Sequence, residues 1–214
     1  MKYLLFSLFM ISTNVWSTSC KVLEIEWYKT YTKVLNVSWD TETFTCPSFE
    51  SKVAQAFYDL HHMDFKSNSD GFKPDFWNYV KTHIKNVKYN KECTALAMGG
   101  NGVITFCPAF AKDSREDRAS TIIHETRHSD LGAPRHVTCV GGHYSGKNGA
   151  CDETFHNGAL EGSGFNADIY FYGWALARKD NTLSKSVMRG HIRGILPDRF
   201  NKIKTQEIKK WRNQ

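Results

Sequence analysis

The chain has no apolar run long enough to span a bilayer: the stretch from Tyr3 to Ile11 falls well short of the roughly 20 residues a membrane helix needs. It shows no DNA- or RNA-binding motif, so nucleic acid is not an expected partner. The residues before Cys20 (Ser17-Thr18-Ser19) lack the leucine of a lipid-attachment signal, which argues against a lipid anchor there. Nor is there an extreme of composition. Hydrophobic residues make up 41% and charged residues 23% of 214 positions, as in an ordinary globular domain with a core of its own.

What is present at the N-terminus reads as an export signal. Met1-Lys2 precedes the short apolar run, and Val15 and Ser17 suit a small-residue cleavage site, so residues 1–17 are expected to be a signal peptide. All six cysteines follow it, at 20, 46, 93, 107, 139 and 151, and an even number in an exported chain implies disulfides. Neighbouring positions suggest Cys20–Cys46, Cys93–Cys107 and Cys139–Cys151. The expected location is outside the cytoplasm, extracellular or periplasmic, without stable membrane insertion once the signal is removed. The net charge of +6 favours anionic surroundings or simple solubility. Asn36-Val37-Ser38 matches a glycosylation acceptor.

Residues 21–45, rich in Val, Ile, Trp, Tyr and Thr, read as strands. Pro47-Ser48 opens a helix to about His62, with Val53, Ala54, Phe57 and Leu60 at helical spacing; His61 and His62 read as cap or surface groups. The run at 67–71 is a loop, and after Pro74 a second helix carries Phe76, Trp77, Val80 and Ile84. Thr94 to Cys107 reads as a β-hairpin about Gly99-Gly100-Asn101-Gly102. Cys93 and Cys107 are equidistant from Gly100, so a bridge between them suits a register centred there. Residues 196–211 read as one amphipathic basic helix, with Phe200, Ile203, Ile208 and Trp211 docked on the domain's own core.

The stretch that organises the rest is Thr121-Ile122-Ile123-His124-Glu125-Thr126-Arg127-His128. Asp113 and Ser114 offer N-caps, Glu116 and Asp117 suit a first turn, and Gly132 and Pro134 stop the helix. At about 3.6 residues per turn, His124 and His128 share a face and can hold one zinc ion, with Glu125 beside them to take a proton from an activated water. Arg127 is expected to pair with Asp130 or Asp168. The strand Val103–Phe106, just before this helix, is the expected acceptor of an extended substrate. A catalytic zinc needs a third protein ligand. Leu131 and Pro134 stand where a metzincin has Gly and His, which excludes that class. Glu161 and His136 remain as candidates, though the glycines around Glu161 disfavour the helix that would present it.

A further candidate comes from resemblance. Ile104-Thr105-Phe106-Cys107-Pro108, Ala119 through Glu125, Gly149-Ala150-Cys151-Asp152 and Asn166-Ala167-Asp168-Ile169-Tyr170 together resemble the aspzincins, the deuterolysin and peptidyl-lysine endopeptidase group. The resemblance spans roughly residues 95–178. It implies Asp152 as third ligand beside His124 and His128. The family's transition-state tyrosine has no direct counterpart, so His156, Tyr170 or Tyr144 is expected to supply that donor.

The expected fold is α+β and zincin-like, with the motif helix against a small mixed sheet, stapled by disulfides. Residues 18–92 would form N-terminal strands and scaffold helices, 93–180 the catalytic core and 181–214 a basic helical segment. The expected function is hydrolysis of peptide bonds by a secreted, monomeric zinc metalloendopeptidase with Glu125 as general base. Cleavage of cell-wall cross-link peptides is the alternative substrate, and a non-enzymatic, disulfide-stapled zinc-binding or toxin-like module the alternative class.

Overall fold

Helical spacing of apolar residues decides the first two elements. In α1 (Phe49–His62), Val53, Ala56, Phe57 and Leu60 fall on one buried face, and α2 (Phe76–His83) buries Phe76, Tyr79 and Val80. These come from a computed structural model of the protein, which describes residues 49–62, 76–177 and 184–212. The signal peptide 1–17, the strands of 21–45, Asn36, the Cys20–Cys46 bridge and the loop at 67–71 lie outside the described residues.

The architecture is α+β, with six α-helices and two small sheets among the described residues. Strands β1 (Asn86–Tyr89), β2 (Ala97–Gly100) and β3 (Val103–Phe106) make a mixed sheet in the order β1-β3-β2, parallel at β1–β3 and antiparallel at β2–β3. The hairpin forms as expected, but its centre lies between Asn101 and Gly102, because Gly100 pairs with Val103. Asn101 (φ 52°) and Gly102 (φ 77°) both take the left-handed conformation that a two-residue turn demands. Cys93 therefore precedes β2 rather than pairing across the hairpin. Its disulfide to Cys107 forms nonetheless, and the Cys107 amide donates to Leu96 O at 3.0 Å. The expectation for Val103–Phe106 needs correction. β3 is the central strand, with both edges already paired, so it has no backbone groups left for a substrate; among the described residues β1 and β2 are the edges, and β2 is the one beside α3.

Helix α3 (Arg115–Ser129) begins at Ser114, whose hydroxyl accepts from the Asp117 amide. Arg115 forms an ion pair with the buried Asp59, and Arg118 donates to Gln55 Oε1 at 2.8 Å, so α3 is clamped to α1 along its first turns. Its other side meets α4 (Gly164–Ala177). A single apolar cluster takes in Phe57, Phe76, Phe106, Ile122, Phe171 and Leu196, and so joins the segments before 93, from 93 to 180, and after 181.

The C-terminal expectation also needs correction. Instead of one helix over 196–211 there are α5 (Lys185–Asp198), the strand β5 (Phe200–Lys202) and α6 (Thr205–Arg212). The Arg199 amide bonds back to Ile195 O and closes α5; Phe200 then enters the core against Phe155. β5 pairs in parallel with β4 (Asp152–Thr154). Phe200 and Trp211 are buried, so these apolar groups do dock on the domain's own core.

Helix α5 is held to α3 by His191, whose Nε2 lies 2.7 Å from Asp117 Oδ1, while its ring stacks on Tyr172. The hydrogen bond to Asp117 raises the His191 pKa against the effect of partial burial. A raised histidine pKa contributes stability that is complete below the unfolded value of about 6.5 and is lost as pH rises through the folded value. Asp113, lifted to about 6 by burial and by Asp117, titrates nearby, so the comparison must be between variants. His191→Gln should be less stable than wild type at pH 5.5 and close to it at pH 9, read by urea unfolding; an equal deficit at both would remove the charged pair from the account.

Candidate metal centre

The motif helix is buried on nearly every side. Ile122, Ile123 and Thr126 are inaccessible, and Arg127 is 2% exposed. The Arg127 guanidinium donates to Gly162 O (2.6 and 3.0 Å), to Tyr79 Oη (2.8 Å) and to Asp130 Oδ2 (2.8 Å). Of the two acidic partners expected for it, the structure selects Asp130. Arg127 thus anchors the segment before α4 to the side of α3, while His124 and His128 remain partly open.

Three imidazoles converge there. His124, His128 and His136 each offer a ring nitrogen, and these atoms lie within 4.8 Å of one another. Two nitrogens bound at about 2.0–2.1 Å to a tetrahedral zinc stand roughly 3.4 Å apart, so the spread suits one ion. The sharpest observation is between His124 and His136. Their Nε2 atoms are 2.9 Å apart, while Nδ1 of each faces a carboxylate: Asp168 Oδ2 at 2.8 Å and Asp152 Oδ1 at 2.7 Å. With both rings neutral, Nδ1–H donating to each carboxylate leaves both Nε2 atoms as lone-pair acceptors aimed at each other. Such a contact is repulsive unless a proton or a cation lies between them. Three imidazoles, two of them backed by carboxylates, are a donor set that suits zinc and other late divalent ions.

Electrostatics follow the same layout. Burial opposes a charge on His124, but the Asp168 carboxylate outweighs it and lifts the pKa to about 9. His128 has no such partner among the described residues; burial and the neighbouring His124, His136 and arginine charges depress it to about 3. Burial lifts the pKa of Glu125, opposed by the His124 charge and by a hydrogen bond from the Gly99 amide. That amide belongs to the edge strand. A Cβ on Gly99 would stand 2.1 Å from the Glu125 carbonyl oxygen, so only glycine lets β2 approach α3 this closely.

The expected site residues divide. His124, His128 and Glu125 are together on α3. Asp152 is not among the three converging groups: its Oδ1 accepts from His136 and its Oδ2 from the Asn166 amide (2.9 Å). It holds His136, which takes the third position. The Val137–Cys151 bridge and the Cys139–Cys151 disulfide fix this pairing by closing the intervening loop onto the strand that carries Asp152. His156 supports the same network through its backbone, donating to Asn166 Oδ1 at 2.8 Å. Tyr170 packs elsewhere than on the histidines. Two residues after Asp168 on α4, it falls on another face of the helix and packs on Trp211 (4.9 Å) and Phe155 (6.0 Å). Glu161 is exposed and outside the cluster.

Sequence reasoning missed Asp168 as the partner of His124, which is also supported by the Ser120 hydroxyl. It missed Phe165 too, whose ring lies against His124 (4.8 Å) and His136 (4.7 Å). Gly164 left no signal at all, yet a Cβ there would stand 2.5 Å from His124 Nε2. Gly164→Ala should therefore weaken metal binding by about 10-fold or more while stability falls by only about 1–3 kcal/mol, as overpacking usually costs. Zinc titration beside denaturant unfolding checks this, and unchanged affinity would contradict it.

No protein-family model, no curated protein and no solved structure matches the chain.

Proposed function

We propose that the protein is a secreted zinc metallopeptidase, with His124, His128 and His136 holding the ion and Glu125 as general base. The observation that carries this reading is the pair of carboxylate-backed imidazoles whose Nε2 atoms face each other beside His128 and Glu125. Three protein ligands among the described residues, rather than the four of a structural site, leave a position for chemistry. Zinc bound there supplies Lewis acidity, polarising a peptide carbonyl and acidifying a water. In the aspzincin pattern Asp152 would be the third ligand; in this proposal His136 has that role and Asp152 orients it.

The remaining work belongs to side chains and backbone of the chain. Glu125, raised in pKa by burial and steadied by the Gly99 amide, accepts the proton of the attacking water and returns it to the leaving amine. Asp168 and Asp152 hold the two imidazoles in the tautomer that directs Nε2 inward. The outward-facing backbone groups of the edge strand β2 are suited to align an extended peptide alongside α3. A helix bearing the motif against a mixed sheet with such an edge supports a zincin-like fold. Export is supported by two disulfides, Cys93–Cys107 and Cys139–Cys151; no described helix is long and apolar enough to cross a membrane.

The substrate is a protein or peptide, and the net charge of +6 would also favour peptides of an anionic cell wall. The test is zinc-loaded protein on casein and on purified cell wall, with chelator controls. Chelator-sensitive, zinc-restored cleavage of either supports the proposal; absence of cleavage in both would leave a zinc-binding module.

A further inference from the structure

Arg199 stands at the junction of α5 and β5, where its carbonyl accepts from the Asp152 amide at 2.8 Å. It is thus attached to the residue that orients His136. Its guanidinium carbon lies 3.3 Å from the centre of the Tyr144 ring and 4.7 Å from that of Phe165. Phe165 in turn covers His124 and His136, so Tyr144, Arg199, Phe165 and His136 form a continuous stack into the metal centre. One of the five guanidinium N–H groups is used within the protein, by Nη1 donating to Ala150 O at 2.9 Å. Among the described residues no carboxylate lies within ion-pair distance. The two aspartates whose charges act on it are engaged elsewhere, Asp198 with the His143 amide and Asp168 with His124 and Ser120. A planar, half-exposed cation stacked on two rings, its other donors without a protein partner among the described residues, is preorganised for a carboxylate. Arg135, exposed beside His128, adds charge of the same sign.

We infer that Arg199 is a carboxylate-recognition residue at the rim of the metal centre, and that the peptides accepted there carry a free carboxylate, from a chain terminus or an acidic side chain, near the bond cleaved. This inference rests on the peptidase reading for its consequence and on Arg199 alone for the binding.

The test uses the inactive, zinc-loaded Glu125→Gln protein and two pairs of peptides: one with a free or an amidated C-terminus, the other C-terminally amidated with a Glu or a Gln residue. Calorimetry should find an acidic member bound roughly 10- to 100-fold more tightly than its neutral counterpart, the range of a charge-assisted pair. The pair that shows the preference identifies the source of the carboxylate. Adding Arg199→Met should abolish the preference with zinc content unchanged. Arg199→Lys, which keeps the charge but loses the fork and the stack, should retain part of it and covers the case in which the Met variant fails to fold. No preference in either pair overturns the inference. So does a preference that survives Arg199→Met and vanishes on metal removal, since the carboxylate would then be bound by the ion. Hydrolysis by the wild type is read separately: cleavage of all four peptides alike keeps the peptidase and removes the role of Arg199, whereas cleavage of none removes the peptidase and leaves the binding result standing.

Discussion

Replacing Glu125 with Gln should leave the zinc content of the protein unchanged and lower kcat on any peptide substrate by about 10³- to 10⁴-fold, the upper part of the range for loss of a general base. The substitution is nearly isosteric. The amide oxygen of Gln still accepts from the Gly99 N–H, so the β2–α3 contact survives and stability should change little. What disappears is the capacity to take a proton. Burial already favours that capacity, because it raises the carboxyl pKa towards the working pH. Single-turnover kinetics with metal analysis on the same preparation is the check. A Gln variant with more than about a tenth of wild-type activity would mean that Glu125 is not the base.

The second large effect concerns the third ligand. His136→Ala should lower zinc affinity more than 100-fold. A four-ligand zinc site is worth about 10–16 kcal/mol, so one imidazole contributes about 3 kcal/mol. Asp152→Asn should do less, about 10- to 100-fold, because it removes the charge behind His136 but not the ring. It also sets an amide group against either the His136 Nδ1–H or the Asn166 amide, both of which donate to Asp152, so some loss of stability accompanies it. Competition with a chelator of known affinity measures both variants. If Asp152 were the ligand and His136 its support, the order of the two losses would be reversed.

Local signals carried much of the fold. Apolar spacing marked α1 and α2, the Ser114 cap and its acidic first turn marked α3, and the glycine-rich run at 99–102 marked the hairpin though not its centre. The failures were non-local. A stretch with helical amphipathicity over 196–211 is interrupted because Phe200 finds a core site and a strand partner in Asp152–Thr154, some fifty residues earlier, which no window on the sequence reveals. The strand next to the motif helix in sequence proved central, and the edge beside that helix belongs to β2.

The site divides along the same line. His124, Glu125 and His128 follow from one turn of helix. His136 and Asp152 were both visible as candidates, but their order of approach depends on how the loop closed by Cys139–Cys151 folds back. Asp168, Phe165 and Gly164 come from α4, and only the packing of α4 on α3 brings them to His124.

The most direct test of the metal centre is X-ray absorption at the zinc edge of the mature, disulfide-intact protein, loaded to equilibrium and dialysed. The account predicts one zinc per chain, with three imidazole ligands and the remaining coordination supplied by solvent oxygen. A carboxylate in place of the third imidazole, four protein ligands, or no stoichiometric zinc would contradict it.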